Sequence, residues 1–257
     1  GRPGWPLPSL ANSLATDNTV KTAAFDFPFS IPLSLLKDSV FARAMKTKPF
    51  LTRQAWVRFV SRRLRLQFTN GQANGELQDL KRFDAWRDKQ FWKKRFTDEA
   101  TGGSPPLKHV YQNVFAMTLA GASLLSKLEA SGYNVVLDSL PPSGSRNAFE
   151  TYPSSVAKRI GFQGSYKTDS VRCLDHAVEY LSKQGISLDL EPDVRGFCKT
   201  YRTGPKHDDP DGADAFLCLV AAIASQEGMV ELCGGNAGQA TLREEGAVIS
   251  ALPVLRK

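Results

Sequence analysis

The sequence has few of the residues that build sulfur and imidazole metal centres. Its 257 residues include four cysteines and three histidines. Cys173, Cys198, Cys218 and Cys233 are far apart and form no C-x-x-C pair. That spacing argues against zinc and for reduced, buried thiols in a cytoplasmic protein. His109, His176 and His207 are too scattered for a histidine-based centre, and His207 reads as a surface residue. No apolar run approaches the ~20 residues that a membrane-spanning helix needs. The opening GRPGWPLPS lacks the apolar stretch of a signal peptide, so no membrane association is expected. The chain does not begin with methionine, and it is expected to start inside a longer one. The phosphate-cradling patterns GxGxxG and GxxxxGK[ST] are both missing, which makes a small-molecule phosphotransferase or hydrolase the weakest of the function classes considered. There is no internal repeat and no low-complexity tract.

What is abundant is positive charge, and it is unevenly placed. The chain carries a net +7. Between Arg43 and Arg95, 15 lysines and arginines face 4 acids, a local net of +11 that leaves −4 for the remainder. A basic excess confined to one segment suits a polyanion-facing surface, although a solvated helical face has the same composition. Trp86, Phe91, Trp92 and Phe96 are interleaved with Arg82, Arg87, Lys89, Lys93, Lys94 and Arg95. Such a mixture can stack on bases and neutralise a strand, or it can be a helix core with a basic outer face. The candidate nucleic-acid contacts are Arg62, Arg63, Arg65, Arg87, Trp92, Lys93, Lys94 and Arg95.

Hydrophobic periodicity predicts an α/β chain. Val20–Pro28, Tyr133–Pro142 and Arg146–Pro153 read as strands, the last two joined by a tight PPSGS turn. A short helix is expected near Leu10–Ala15. From about 33 to 132 the pattern is helical, over Ser34–Met45, Thr52–Phe68, Leu77–Phe96 and Leu107–Ala130, with breaks at NGQANGE and TGGSPP. This block reads as a large basic helical insertion within a single domain. A helix capped by Ser154 follows, then an amphipathic helix ended by Gly185 and another over about Asp211–Glu227. EEGAVISALP resembles a short edge strand closed by Pro253.

Three stretches place acids in apolar surroundings. Asp26 ends the first strand in AAFDFPFSIP, Glu150 lies in NAFETYP, and Asp211 and Asp214 lie in DGADAFLCLVAA. Asp209 with Pro210 suits a helix cap and first turn, which also accounts for Asp208. Asp214 lies deeper, among core residues and on nearly one face with Asp211. Paired carboxylates at short range repel unless a cation neutralises them, and oxygen ligands suit Mg²⁺ or Mn²⁺. Acids from separate elements meeting at one point would form a metal-assisted phosphoryl-transfer site. Local alternatives remain: Asp26 capping its own turn, Glu150 pairing with Arg159 or Lys167, and Lys167 solvated rather than on a phosphate.

FDFPFSIP, RFTDEATGGSPPLKHVYQNVF, FETYP with KRIGF and YK, DGADA and EEGAVISALP occur in an order that resembles a bacterial and archaeal family, domain of unknown function 429. That family is a predicted RNase H-like nuclease group. The DGADA helix also looks like the last acidic helix of RuvC-type resolvases. The resemblance spans most of the chain beyond Val20. It implies an RNase H-like mixed sheet flanked by helices, with Asp26, Glu150, Asp211 and Asp214 as metal ligands. Asp26, Glu150, Asp214 and Lys167 would be the catalytic group. Tyr166 with Lys167, Thr97 with Asp98, and Ser104 with Pro105 match further family motifs. The family opens with a strand carrying Gly-x-Asp, and none precedes Asp26. Either the first strands lie outside these residues or a ligand has been lost. The expected function is a divalent-metal-dependent nuclease. The alternative is a catalytically degenerate module that binds nucleic acid or an acidic protein partner.

Overall fold

The computed structural model describes residues 7–64, 80–109, 114–141, 145–188, 190, 211–233 and 237–252. Its centre is a five-stranded mixed sheet. β1 (Thr22–Phe25) and β2 (Asn134–Val136) lie on opposite edges of β3 (Asn147–Glu150), both parallel to it. Asn147 stands opposite Thr22 on one side and Asn134 on the other. Where β2 ends, β5 (Val248–Ala251) takes over that edge through Glu150 and Val248, and the Ala247 N–H donates to the Leu137 carbonyl at 2.7 Å. β4 (Val230–Cys233) pairs antiparallel with β5 along the sheet's margin.

Alternation along the strands feeds two cores. Ala23 and Ala148 face α1 (Leu7–Thr16) and α6 (Val114–Ala130), where Ala11, Leu124, Leu128 and Tyr133 close the packing. Ala24 and Phe149 face the other layer. That layer is built from α7 (Pro153–Arg159), α8 (Ser170–Lys183) and α9 (Asp211–Gln226). All four residues of β3 are buried, as expected for a strand covered on both faces.

Between β1 and α6 lie α2 (Leu33–Leu36), α3 (Ser39–Ala44), α4 (Arg53–Leu64) and α5 (Phe96–Thr101). They enclose a third core of Phe41, Trp56, Phe83, Trp86 and Phe91. Trp86 stacks on Phe41 at 4.3 Å between ring centres, and its indole N–H donates to the Phe41 carbonyl at 3.1 Å. Aromatic area of this kind supplies much of the burial that a small helical layer needs. Two adjacent carboxylates fasten the layer to the sheet. They come from the end of α10 (Gln239–Glu245). Glu245 accepts the Leu33 N–H at 2.7 Å and the Phe96 N–H at 2.9 Å, and Glu244 accepts the Arg53 N–H at 2.5 Å. Each donor is the first residue of a helix, where the N–H is free and the dipole favours an anion.

Several local expectations change. Residues 34–45 form two helices because the Asp38 carboxylate accepts the Val40 and Phe41 N–H groups and starts a new one. Within 77–96 the described backbone forms 3-10 turns at Lys81–Trp86 and Lys89–Phe91, not one α-helix. Asp88 accepts the Gln90 N–H at 2.9 Å and opens the second turn. β2 and β3 are parallel, so their link is not the tight reversing turn expected at PPSGS, of which 142–144 lie outside the described residues. Tyr152 occupies the cap position of α7, with Pro153 first in the helix, in place of Ser154. The EEGAVISALP strand is interior and not at an edge, since β4 covers it. Among the described residues no helix is long and apolar enough to cross a membrane.

Candidate active site

A cleft of about 640 Å³ opens beyond the C-terminal ends of β1 and β3. Ligands in open α/β sheets collect at that end of parallel strands. Asp26 follows β1 directly, and Thr151 and Tyr152 continue from β3. α9 supplies Asp214 from the side, and the loop before α8 supplies Tyr166 and Lys167. The wall from the insertion carries Asp98 and Ser104.

The turn that presents Asp26 is held by three rings. Phe25, Phe27 and Phe29 pack on one another at 5.1 to 6.2 Å between centres. Phe27 also passes over Gly121 of α6, where an added Cβ would come within 2.3 Å of the ring. Only glycine leaves room there.

Asp214 has both oxygens engaged. The Tyr166 hydroxyl donates to Oδ1 at 2.6 Å, and the Lys167 ammonium donates to Oδ2 at 3.3 Å. Burial, then the Asp214 hydrogen bond and charge, then Asp26, hold the Tyr166 phenol well above its ordinary range. Tyr152 is raised by burial and by Asp26, Asp214 and Asp98. Cys218, one helical turn beyond Asp214, is buried, and the same two aspartates add to the rise of its thiol. A thiol kept neutral in this way is not a nucleophile. Three separate groups thus feel Asp26 and Asp214 together, so the two acids share one electrostatic environment.

The floor is a buried ionic cluster. Arg95 is 1% exposed and forks onto Glu150, with Nη1 at 2.7 Å from Oε2 and Nη2 against Oε1. Nη2 also reaches Asp98 Oδ1 at 2.7 Å, and Nη1 donates to the Glu245 carbonyl at 3.0 Å. Glu150 Oε2 accepts the Phe29 N–H at 2.8 Å as well. Burial opposes the charge on Arg95, but Asp98 and Glu150 more than offset it and raise its pKa. One guanidinium serves two carboxylates, so burial still drives the Glu150 carboxyl upward.

Asp26, Asp214 and Lys167 therefore line one cleft. Glu150 lines it too, but its oxygens are turned onto Arg95 and the Phe29 amide, and not onto Arg159 or Lys167. Arg159 pairs instead with Glu231. Asp211 opens α9, and its side chain lies outside the described residues. Among the described residues, no three His, Cys, Asp or Glu side chains group closely enough to hold a metal by themselves. The nucleic-acid set divides. Arg95 borders the cleft but is 1% exposed, with its guanidinium held by Glu150 and Asp98, so it belongs to the buried cluster and not to an exposed basic surface. Arg62, Arg87, Lys93 and Lys94 are exposed, with Arg87 beside Asp84 and Lys93 beside Asp38. Arg63 is half-buried over the Phe59 ring, and Trp92 is half-buried edge-on to His109. Arg62, Arg63, Arg87, Trp92, Lys93 and Lys94 do not line the cleft. Arg65 lies outside the described residues.

Sequence reasoning overlooked Tyr152, whose signal was its place two residues beyond Glu150, on the same side of an extended chain. It also overlooked the Glu244–Glu245 fastening, whose only local sign is an acidic pair before Gly246. No family model, curated protein or solved structure matches the chain.

Proposed function

We propose that the protein is a divalent-metal-dependent nuclease of RNase H-like fold, acting on nucleic-acid phosphodiesters through Asp26 and Asp214. The carrying observation is that these two acids, from opposite ends of the chain, line one cleft at the ends of parallel strands. The donor set fits Mg²⁺ or Mn²⁺: such ions take one or two carboxylates and draw their remaining oxygens from water and substrate phosphate. When bound, the ion would supply charge neutralisation and an activated water for in-line displacement. Tyr166 fixes the orientation of Asp214 through its hydroxyl. Lys167 provides a mobile positive charge within reach of a phosphate. Glu150 and Arg95 hold the strand end in place and are not ligands. The exposed Arg62, Arg87, Lys93 and Lys94 would draw the polyanion toward the protein and release counterions on contact.

The test is Mn²⁺-dependent cleavage of labelled single- and double-stranded DNA and RNA by the parent, Asp26→Asn and Asp214→Asn proteins. Both variants are expected to keep binding and to lose cleavage. Equal cleavage by Asp214→Asn and the parent would reject the assignment. The capture of Glu150 by Arg95 favours a second reading, a module that binds nucleic acid or an acidic protein without turnover. That reading requires steeply salt-dependent binding and no cleavage with any divalent ion.

A further inference from the structure

The Lys167–Asp214 contact has a further consequence, which rests on Asp214 being a metal ligand. The two partners of Asp214 differ in kind. Tyr166 is 8% exposed and packed into the core beneath the cleft with Phe162 and Leu217. The Lys167 side chain is 49% exposed, and its ammonium also lies 5.6 Å from the centre of the Tyr166 ring. A buried phenol held by its neighbours is a fixed partner. An ammonium on a flexible, half-exposed stem can leave at little cost. Asp26 lines the same cleft as Asp214 and Lys167, which gives that cleft a second aspartate.

We propose that Lys167 is a resident counter-cation that holds the divalent ion's place at Asp214, and that its displacement frees the ammonium for the substrate phosphate. A single positive charge then serves two positions in turn. Without a divalent ion it quiets the repulsion between Asp26 and Asp214. Once exchanged, it faces the cleft unpaired. Phosphate and divalent ion each favour the released position of Lys167, so each strengthens binding of the other, and by linkage the effect is reciprocal.

The experiment titrates Mn²⁺ alone into the full chain and follows free Mn²⁺ by electron paramagnetic resonance, for the parent, Lys167→Met, Lys167→Arg and Asp214→Asn proteins. Lys167→Met removes the competitor and is expected to bind Mn²⁺ about tenfold more tightly, equivalent to about 1.4 kcal/mol. Lys167→Arg keeps the charge and should stay close to the parent. Inorganic phosphate should tighten Mn²⁺ binding in the parent more than in Lys167→Met. As a check that does not depend on affinity fitting, Mn²⁺ should raise the melting temperature of Lys167→Met more than that of the parent. If Asp214→Asn abolishes Mn²⁺ binding while Lys167→Met binds no more tightly than the parent, the counter-cation role is overturned and the metal site stands. Mn²⁺ binding that is absent in all four proteins, or unchanged in Asp214→Asn, overturns both.

Discussion

Arg95→Met isolates the ionic cluster beneath the cleft. The wild-type guanidinium is 1% exposed and makes charged hydrogen bonds to both Glu150 and Asp98, with a further bond to the Glu245 carbonyl. Removing it leaves two carboxylates buried without a counter-charge. Breaking a buried pair by deleting one partner costs roughly 3–5 kcal/mol, a large part of the roughly 5–15 kcal/mol that holds a domain together. Glu150→Gln removes a charge from a cluster that carries one excess negative charge. Arg95 keeps Asp98, and the amide oxygen can still accept the Phe29 N–H, so the cost should be smaller, roughly 1.5–3 kcal/mol for a lost charged hydrogen bond. Urea unfolding followed by tryptophan fluorescence measures both. With an m-value of roughly 3 kcal/mol/M, Arg95→Met should move the midpoint by roughly 1–2 M, and Glu150→Gln by less. A midpoint for Arg95→Met within error of wild type, or a larger loss in Glu150→Gln, would refute the cluster as the support of the floor. Glu150→Gln should also leave Mn²⁺ binding intact, and its loss would return Glu150 to the ligand set.

Gly121→Ala forces the Phe27 ring away from a Cβ that would otherwise lie 2.3 Å from it. Overpacking costs about 1–3 kcal/mol, and better helix propensity returns about 1 kcal/mol, so a melting temperature clearly above wild type would show that the ring is not held there. Asp38→Ala deletes the cap of α3 and should cost about 1 kcal/mol at neutral pH. The Asp38 carboxyl is lowered first by the Phe41 N–H, against an opposing burial contribution, and further by the Val40 N–H and Lys93. A lowered folded value means that its stabilisation is complete above the ordinary aspartate range and lost as pH falls through the folded value. The gap between the Asp38→Ala and wild-type melting curves should therefore close on acidification, and a gap unchanged near pH 2 would contradict it.

Elements with a strong local signature were legible. The VKTAAFDFP run contains β1, and the Asp211–Glu227 pattern differs from α9 by one residue at its end. β4 was not legible, because VELC is four residues long and its strand character comes from pairing with β5. Leu77–Phe96 carried helical spacing, yet Trp86 and Phe91 both pack on Phe41 from short turns, so tertiary contact determined the backbone there. Asp26 and Asp214 were singled out from their apolar flanks and motif order, and Lys167 only through the YK motif of the family resemblance. Arg95 was misread because composition shows only a base in a basic run. What buries it is Glu150, which belongs to a strand far along the chain.

Glu244 and Glu245 bear on how the molecule comes into being. A polypeptide made from its N-terminus yields α2, α4 and α5 long before the two acids that take up their leading amides. Until those acids emerge, the early helices rest on their aromatic and aliphatic packing, and the leading amides of Leu33, Arg53 and Phe96 lack these acceptors. The ribosome thus supplies the clasp after the parts it closes, so the basic layer gains its final seating on the sheet only as synthesis reaches the last stretch of these residues.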